Sequence, residues 1–245
     1  MYEKTWKISK DHFEYIRKRD WITIEDKHLE YTLESNEGIV ELIFQCTDSK
    51  SDWGTNLDYY PTKMQELFGE KTCIFGHEGF YNMYLGVRNQ FLDECYELGE
   101  NLKEIHIAGY SLGGGLTKLA FEDAVFHFAE KGVKVHGISY EGPRVFCPSR
   151  EIKTLFKKYK KTCKLEYVST FWDPVVHCPP SVIQMLPFIE LYFYPFKIKF
   201  TTVRSGFSVW KDYGKKVRIG RWYKMFPMQH LPSEIRENLY KKFKE

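Results

Sequence analysis

The sequence predicts an α/β fold, with a mostly parallel central sheet and helices on both faces. Three observations carry this. From about residue 103 onward, apolar runs of strand length alternate with segments of helical period, and such alternation builds parallel sheets covered by helices. A glycine box, IHIAGYSLGGG at 105–115, joins one of those strands to one of those helices. The 245 residues, 43% hydrophobic and 28% charged, suit one large aromatic-rich domain. No repeat, low-complexity tract or linker divides the chain, so residues 1–245 are read as a single domain.

The elements follow in order. Ser9 is placed to cap a short helix running through Asp20, with Phe13 and Ile16 on one face. HLEYTLE (28–34), SNEG and IVELIFQC (39–46) read as a β-hairpin, the second strand being the more apolar. SKSDWGTNLDYYP (49–61) is rich in turn formers and reads as a loop. After Gly79, residues Tyr84, Leu85, Phe91, Leu92, Cys95 and Leu98 recur at helical spacing. KEIHIA (103–108) is a strand, and LTKLAFEDAVFHFAEKG is expected to be an amphipathic helix closed by Gly132. VKVHGISY (133–140) is the next strand, Ser149 caps a further helix, and KLEYVSTFW (164–172) is a strand again. PSEIRENLYKKF (232–243) makes the last helix, with Ile235, Leu239 and Phe243 on one side.

Composition narrows the function class. The first twenty residues are charged and carry no apolar core of a secretory signal. The most apolar stretch, 178–196, holds four prolines and Glu190, which argues against a spanning helix. The six cysteines form no zinc-type spacing. A cytoplasmic protein with reduced thiols is therefore expected, with no metal and no cofactor. Charge is uneven: residues 1–130 hold 13 Lys and Arg against 24 Asp and Glu, a net −11, and residues 131–245 hold 23 against 9, a net +14. The basic runs at 153–164 and 215–224 read first as solvated helix and strand faces. As a functional surface they suit anionic lipid headgroups or phosphate; no nucleic-acid partner is expected.

Gly109-Tyr110-Ser111-Leu112-Gly113 matches G-x-S-x-G at a strand-to-helix junction. That setting makes Ser111 a candidate nucleophile, because the flanking glycines admit a sharp turn and the helix start aims N–H groups at a developing oxyanion. Serine needs a histidine base, and the histidine a carboxylate. In the order Ser, acid, His, only His177 and His230 lie downstream of Ser111. Glu141 and Asp173 each follow a strand. Asp173 is preferred as acid because it opens the later loop, DPVVHCPP. His177 lies only four residues from Asp173, so His230 is preferred as base and His177 is read as a surface-loop residue. His77, His106, His127 and His136 are read as structural.

These blocks together resemble the class 3 lipases, the fungal-type triacylglycerol lipases within the α/β-hydrolases. The likeness runs over residues 28–180, through IVELIFQCTDSKSDW (39–53), GHEGFYNMY (76–84), IHIAGYSLGGGLTKLA (105–120), ISYEGPRVF (138–146) and STFWDPVVHCPP (169–180). It implies a triad of Ser111, Asp173 and His230. It also implies an oxyanion hole from Thr47 and the Leu112 N–H, and a lid in the loop after Thr47 carrying Trp53. Gln45 and Cys46 stand where the family usually has Arg and Gly. Tyr110 replaces a common histidine, and its phenol is expected at the pocket rim. Gly114 and Gly115 are expected to let the helix pack close to the sheet.

The function expected is hydrolysis of lipid carboxyl esters through an acyl-enzyme; the apolar segment 181–200 reads first as core strand and loop packing, and as a functional surface it is an acyl groove or an apolar rim touching an anionic lipid surface. Within enzymes, a phospholipase or thioesterase is the alternative; outside them, a non-catalytic lipid-surface or protein-binding module on a hydrolase scaffold.

Overall fold

The structure is a computed structural model that describes residues 6–27, 29–45, 61–170, 173, 175–177, 190–193, 196–199, 211–220 and 231–243. The order is α1 (Lys10–Tyr15), β1 (Ile22–Ile24), β2 (Leu29–Asn36), β3 (Ile39–Phe44), β4 (Pro61–Lys63), α2 (Gln65–Phe68), β5 (Phe75–His77) and α3 (Glu78–Leu98). It continues with β6 (Glu104–Tyr110), α4 (Leu112–Phe128), β7 (Lys134–Tyr140), α5 (Arg150–Tyr159), β8 (Cys163–Ser169), β9 (Glu190–Phe193), β10 (Phe196–Lys199), β11 (Lys215–Arg218) and α6 (Pro232–Phe243).

Seven strands form one sheet in the order β1-β2-β3-β6-β7-β8-β11. The first two pairings are antiparallel and the other four parallel. The expected hairpin is present. Glu37 at φ 52° and Gly38 at φ 85° turn the chain between Asn36 and its partner Ile39, the two left-handed residues that match strand twist in a two-residue turn. The basic run at 215–224 opens with an edge strand, β11, whose Lys215 reaches Glu166 at 3.0 Å on β8. Charged edge strands resist unwanted pairing.

Strand alternation sorts the core into two layers. On one face, Ile105, Ile107, Val135 and Leu165 pack with α3 and α4. On the other, Ala108, Tyr110, Ile138, Tyr140 and Val168 meet Phe13 and Ile16 near α1, and Ile235 and Leu239 of α6. Ser9 caps α1 by accepting the His12 N–H at 2.9 Å, though the helix ends at Tyr15, short of Asp20. Ser149 caps α5 through the Ile152 N–H at 3.3 Å.

One expectation fails in an informative way. α4 is buried nearly all round rather than amphipathic, because it lies between the sheet, α3 and α5. Its charged residues are therefore internal. Asp123 takes the Arg88 guanidinium at 2.8 Å and the Tyr84 hydroxyl at 2.8 Å, which ties α4 to α3. Among the described residues, no helix is long and apolar enough to cross a membrane.

Candidate active site

The described candidate residues follow the carboxyl ends of β6, β7 and β8. Tyr110 and Tyr140 are register partners at the ends of β6 and β7. The residue after each, Ser111 at φ 57° and Glu141 at φ 49°, is a non-glycine in the left-handed region. Such a conformation costs about 1–3 kcal/mol and persists only where the surroundings impose it. Here the Ser111 N–H donates to the Tyr140 carbonyl at 2.8 Å, and the Glu141 N–H to the Val168 carbonyl at 3.0 Å. Each strained exit is thus pinned by the neighbouring strand.

The glycines explain the tightness of the turn. A Cβ on Gly109 would lie 2.3 Å from the Gly113 carbonyl oxygen, and one on Gly113 would lie 2.5 Å from that of Phe44. The start of α4 therefore sits directly on the end of β3. Gly114 approaches Gly142, where a Cβ would come within 2.8 Å of that Cα. Gly115 differs from expectation. Its missing Cβ makes room for the Phe80 ring of α3, at 2.6 Å, not for the sheet.

Ser111 is fully buried at the N-cap position of α4, without a side-chain capping bond, and the first helical residue is Leu112. An N–H at this position has no intrahelical acceptor, so Leu112 can offer it to an oxyanion. Asp173 is fully buried, four residues beyond the end of β8, and its Oδ1 accepts the Val175 N–H at 2.8 Å. Ser111, Leu112 and Asp173 thus share the carboxyl edge of the sheet. Thr47, His230, Cys46 and the loop bearing Trp53 lie outside the described residues. Gln45, two residues before Thr47, binds the Glu30 carbonyl through its N–H at 2.9 Å, and its own carbonyl lies against Gly113.

Tyr110 is not at a pocket rim. Its ring lies in the second core layer, edge-on to Phe13 at 5.6 Å, because alternation turns it to the α1 face. The structural reading of His77 fits its position: it is buried ahead of α3, edge-on to Phe80 at 4.9 Å, and burial pushes its pKa down to about 3. Val175–His177 forms a single 3₁₀ turn just after Asp173.

Two residues at this edge went unassigned or misassigned from sequence. Lys118 is 2% exposed; its Nζ donates to the Gly142 and Pro143 carbonyls at 3.0 and 2.8 Å and to Asp212 at 2.6 Å. It clamps the loop after β7 to α4. Glu141, weighed above as the acid, is fully buried. Burial first, then the Asp173 charge and a hydrogen bond to Asp173, raise its pKa well above the ordinary carboxylate value.

Among the described residues, one group has metal-ligand character: Glu104, His106 and His136 bring ligand atoms within 4.8 Å of one another. It lies at the opposite end of β6 from Ser111, and Glu104 is engaged by Lys134 and His106 at 3.0 Å each. A cavity of about 350 Å³ bounded by Phe68, Ile74, Phe126 and Leu155 is likewise remote from Ser111, towards the other end of α4.

The model of the family described as Lipase (class 3) matches residues 41–183, more than half of the chain. A chloroplastic phospholipase A1 of Arabidopsis thaliana is 31% identical over 119 residues, which are 45% of this chain and 17% of that protein. A triacylglycerol lipase from Penicillium expansum aligns with a TM-score of 0.54 and 12% identity, over 65% of this chain and 62% of the other. The Rhizomucor miehei lipase, in complex with its propeptide, aligns at 0.51 and 19%, over 66% and 50%. The chain therefore spans less than two thirds of each of these relatives. The structural likenesses bear on the fold, which is that of an α/β-hydrolase; the family match, covering the hairpin strand, the serine elbow and the Asp173 loop together, makes this chain a member of the class 3 lipases.

Proposed function

We propose that the chain is a serine carboxyl-ester hydrolase acting on lipid esters through Ser111, Asp173 and His230. The observation that carries this is Ser111 at φ 57° between β6 and α4. A serine held where the backbone favours glycine, at a helix N-terminus, is strained for a purpose other than packing. In the proposed reaction His230 takes the Ser111 proton as Oγ attacks the ester carbonyl. The Leu112 and Thr47 N–H groups hold the oxyanion. His230 then protonates the leaving alcohol, and water releases the acyl group by the reverse sequence. Asp173 holds the imidazole in the tautomer that can accept the proton.

The phospholipase A1 relative favours a glycerophospholipid as one substrate class, alongside neutral glycerides. Peripheral contact with an anionic membrane from the cytoplasmic side belongs to the same reading, supported by the net +14 of residues 131–245. Vesicle flotation tests it, and equal binding to neutral and anionic vesicles removes it.

A fluorophosphonate probe should label the wild type and leave Ser111→Ala unlabelled. A chain-length series of p-nitrophenyl esters should show turnover that His230→Ala abolishes and His177→Ala retains. No turnover at any length, with no labelling, would replace the enzyme by a non-catalytic module.

A further inference from the structure

The loop after β7 holds a second carboxyl with no evident duty in ester hydrolysis. Glu141 is fully buried, and its left-handed backbone would suit glycine better. It is held there by its N–H on the Val168 carbonyl, at 3.0 Å, and by the Thr170 N–H, which reaches its Oε2 at 3.2 Å. Among the described residues, no donor serves Oε1. Asp173, also fully buried, lies within hydrogen-bonding reach of this carboxyl. A carboxyl closed off from water beside a second carboxyl is driven to keep its proton, because a like charge and burial both disfavour its ionised form.

We propose that Glu141 is a positioning residue for the catalytic acid: it keeps a proton, donates it to Asp173, and so fixes the carboxylate that orients His230. This rests on the triad reading above. The Val175 N–H takes one Asp173 oxygen. The Glu141 hydroxyl adds a second restraint and leaves Asp173 fewer ways to turn away from the imidazole.

The surrounding charges permit this. Lys216 on β11 acts in the opposite sense on Glu141, but after burial and Asp173. Lys118 on α4 is committed to two carbonyls and Asp212. His12 on α1 meets the hydroxyl of neighbouring Tyr140 at 2.9 Å, and burial pushes its pKa down to about 3, so it brings no positive charge.

Three variants of the full chain test the proposal. Glu141→Gln keeps a neutral donor and should stay within about threefold of wild-type kcat. Glu141→Gly suits the backbone angle but removes the donor, and should lose about tenfold to a hundredfold in kcat with KM unchanged. Asp173→Asn should lose about 10⁴-fold, the scale known when a triad acid becomes an amide. Glu141→Gly at wild-type kcat overturns the proposal, and so does Glu141→Gln as inactive as Asp173→Asn, which would make Glu141 the acid itself. An infrared difference spectrum, wild type minus Glu141→Gln at neutral pH, should contain a protonated-carboxyl band; a carboxylate band alone overturns the proposal. This spectrum reads the proton without turnover. An unlabelled wild type would therefore sink the hydrolase reading while the carboxyl pair is still decided on its own.

Discussion

Replacing Glu122 by Gln should make the protein progressively more stable than wild type as pH rises. Glu122 is 1% exposed on α4, neither of its carboxyl oxygens has a donor among the described residues, and it borders the same small gap as Phe121, Val125, Leu155, Phe156 and Cys163. Burial raises its pKa well above the ordinary carboxylate value of about 4.5. Below about pH 4.5 the carboxyl is neutral in both folded and unfolded chains, so Gln and Glu should differ little. Above it the unfolded chain releases a proton that the folded chain retains, and wild-type stability falls by about 1.4 kcal/mol per pH unit until the folded pKa is reached. The Gln variant has no such loss. With a urea m-value of about 3 kcal/mol/M, each pH unit should separate the two midpoints by roughly 0.5 M. Urea melts of both proteins from pH 4 to pH 8 measure this, and Glu141 cancels because it titrates in both. A gap constant across that range would refute the reasoning.

Four further outcomes are expected. Gly113→Ala drives a Cβ into the Phe44 and Gln45 carbonyls, so it should cost about 1–3 kcal/mol in denaturant melts and lower turnover by lifting α4 off β3. Lys118→Met strands two carbonyls and leaves the Asp212 carboxylate, among the described residues, to Arg144 alone, at 3.5 Å; a loss of about 3 kcal/mol is expected, and a change under 1 kcal/mol would show that the clamp carries little. Ser111→Gly should abolish turnover yet raise thermal stability by relieving about 1–3 kcal/mol of backbone strain, whereas Ser111→Ala keeps the strain and should melt below it. Tyr110→Phe should leave the ester chain-length profile unchanged, because the ring packs against Phe13 rather than substrate.

What could be read from the sequence was local. The Glu37–Gly38 turn, the caps at Ser9 and Ser149 and the glycine box each depend on a few adjacent residues, and each forms as the residues dictate. What could not be read was set by partners far along the chain. Lys118 and Asp123 look like the polar face of a surface helix until Asp212, 94 residues on, and Arg88, 35 residues back, close over them. Tyr110 beside the serine suggests a rim, but strand alternation sends it through the sheet to Phe13. Glu141 and Asp173 looked like rivals for one role because each follows a strand. Only the pairing of β7 with β8 makes them neighbours.

The twin strained exits at Ser111 and Glu141 bear on how portable such a turn is. The serine's N–H is held by the carbonyl of Tyr140, and Glu141 is held in turn by Val168, so the conformation is imposed across three strands. Moving the five residues Gly109–Gly113 into another α/β sheet would carry the glycines but not this scaffolding. The transplanted serine would relax to an ordinary backbone angle, and the smallest unit that can be exchanged between proteins is a strip of three strand ends.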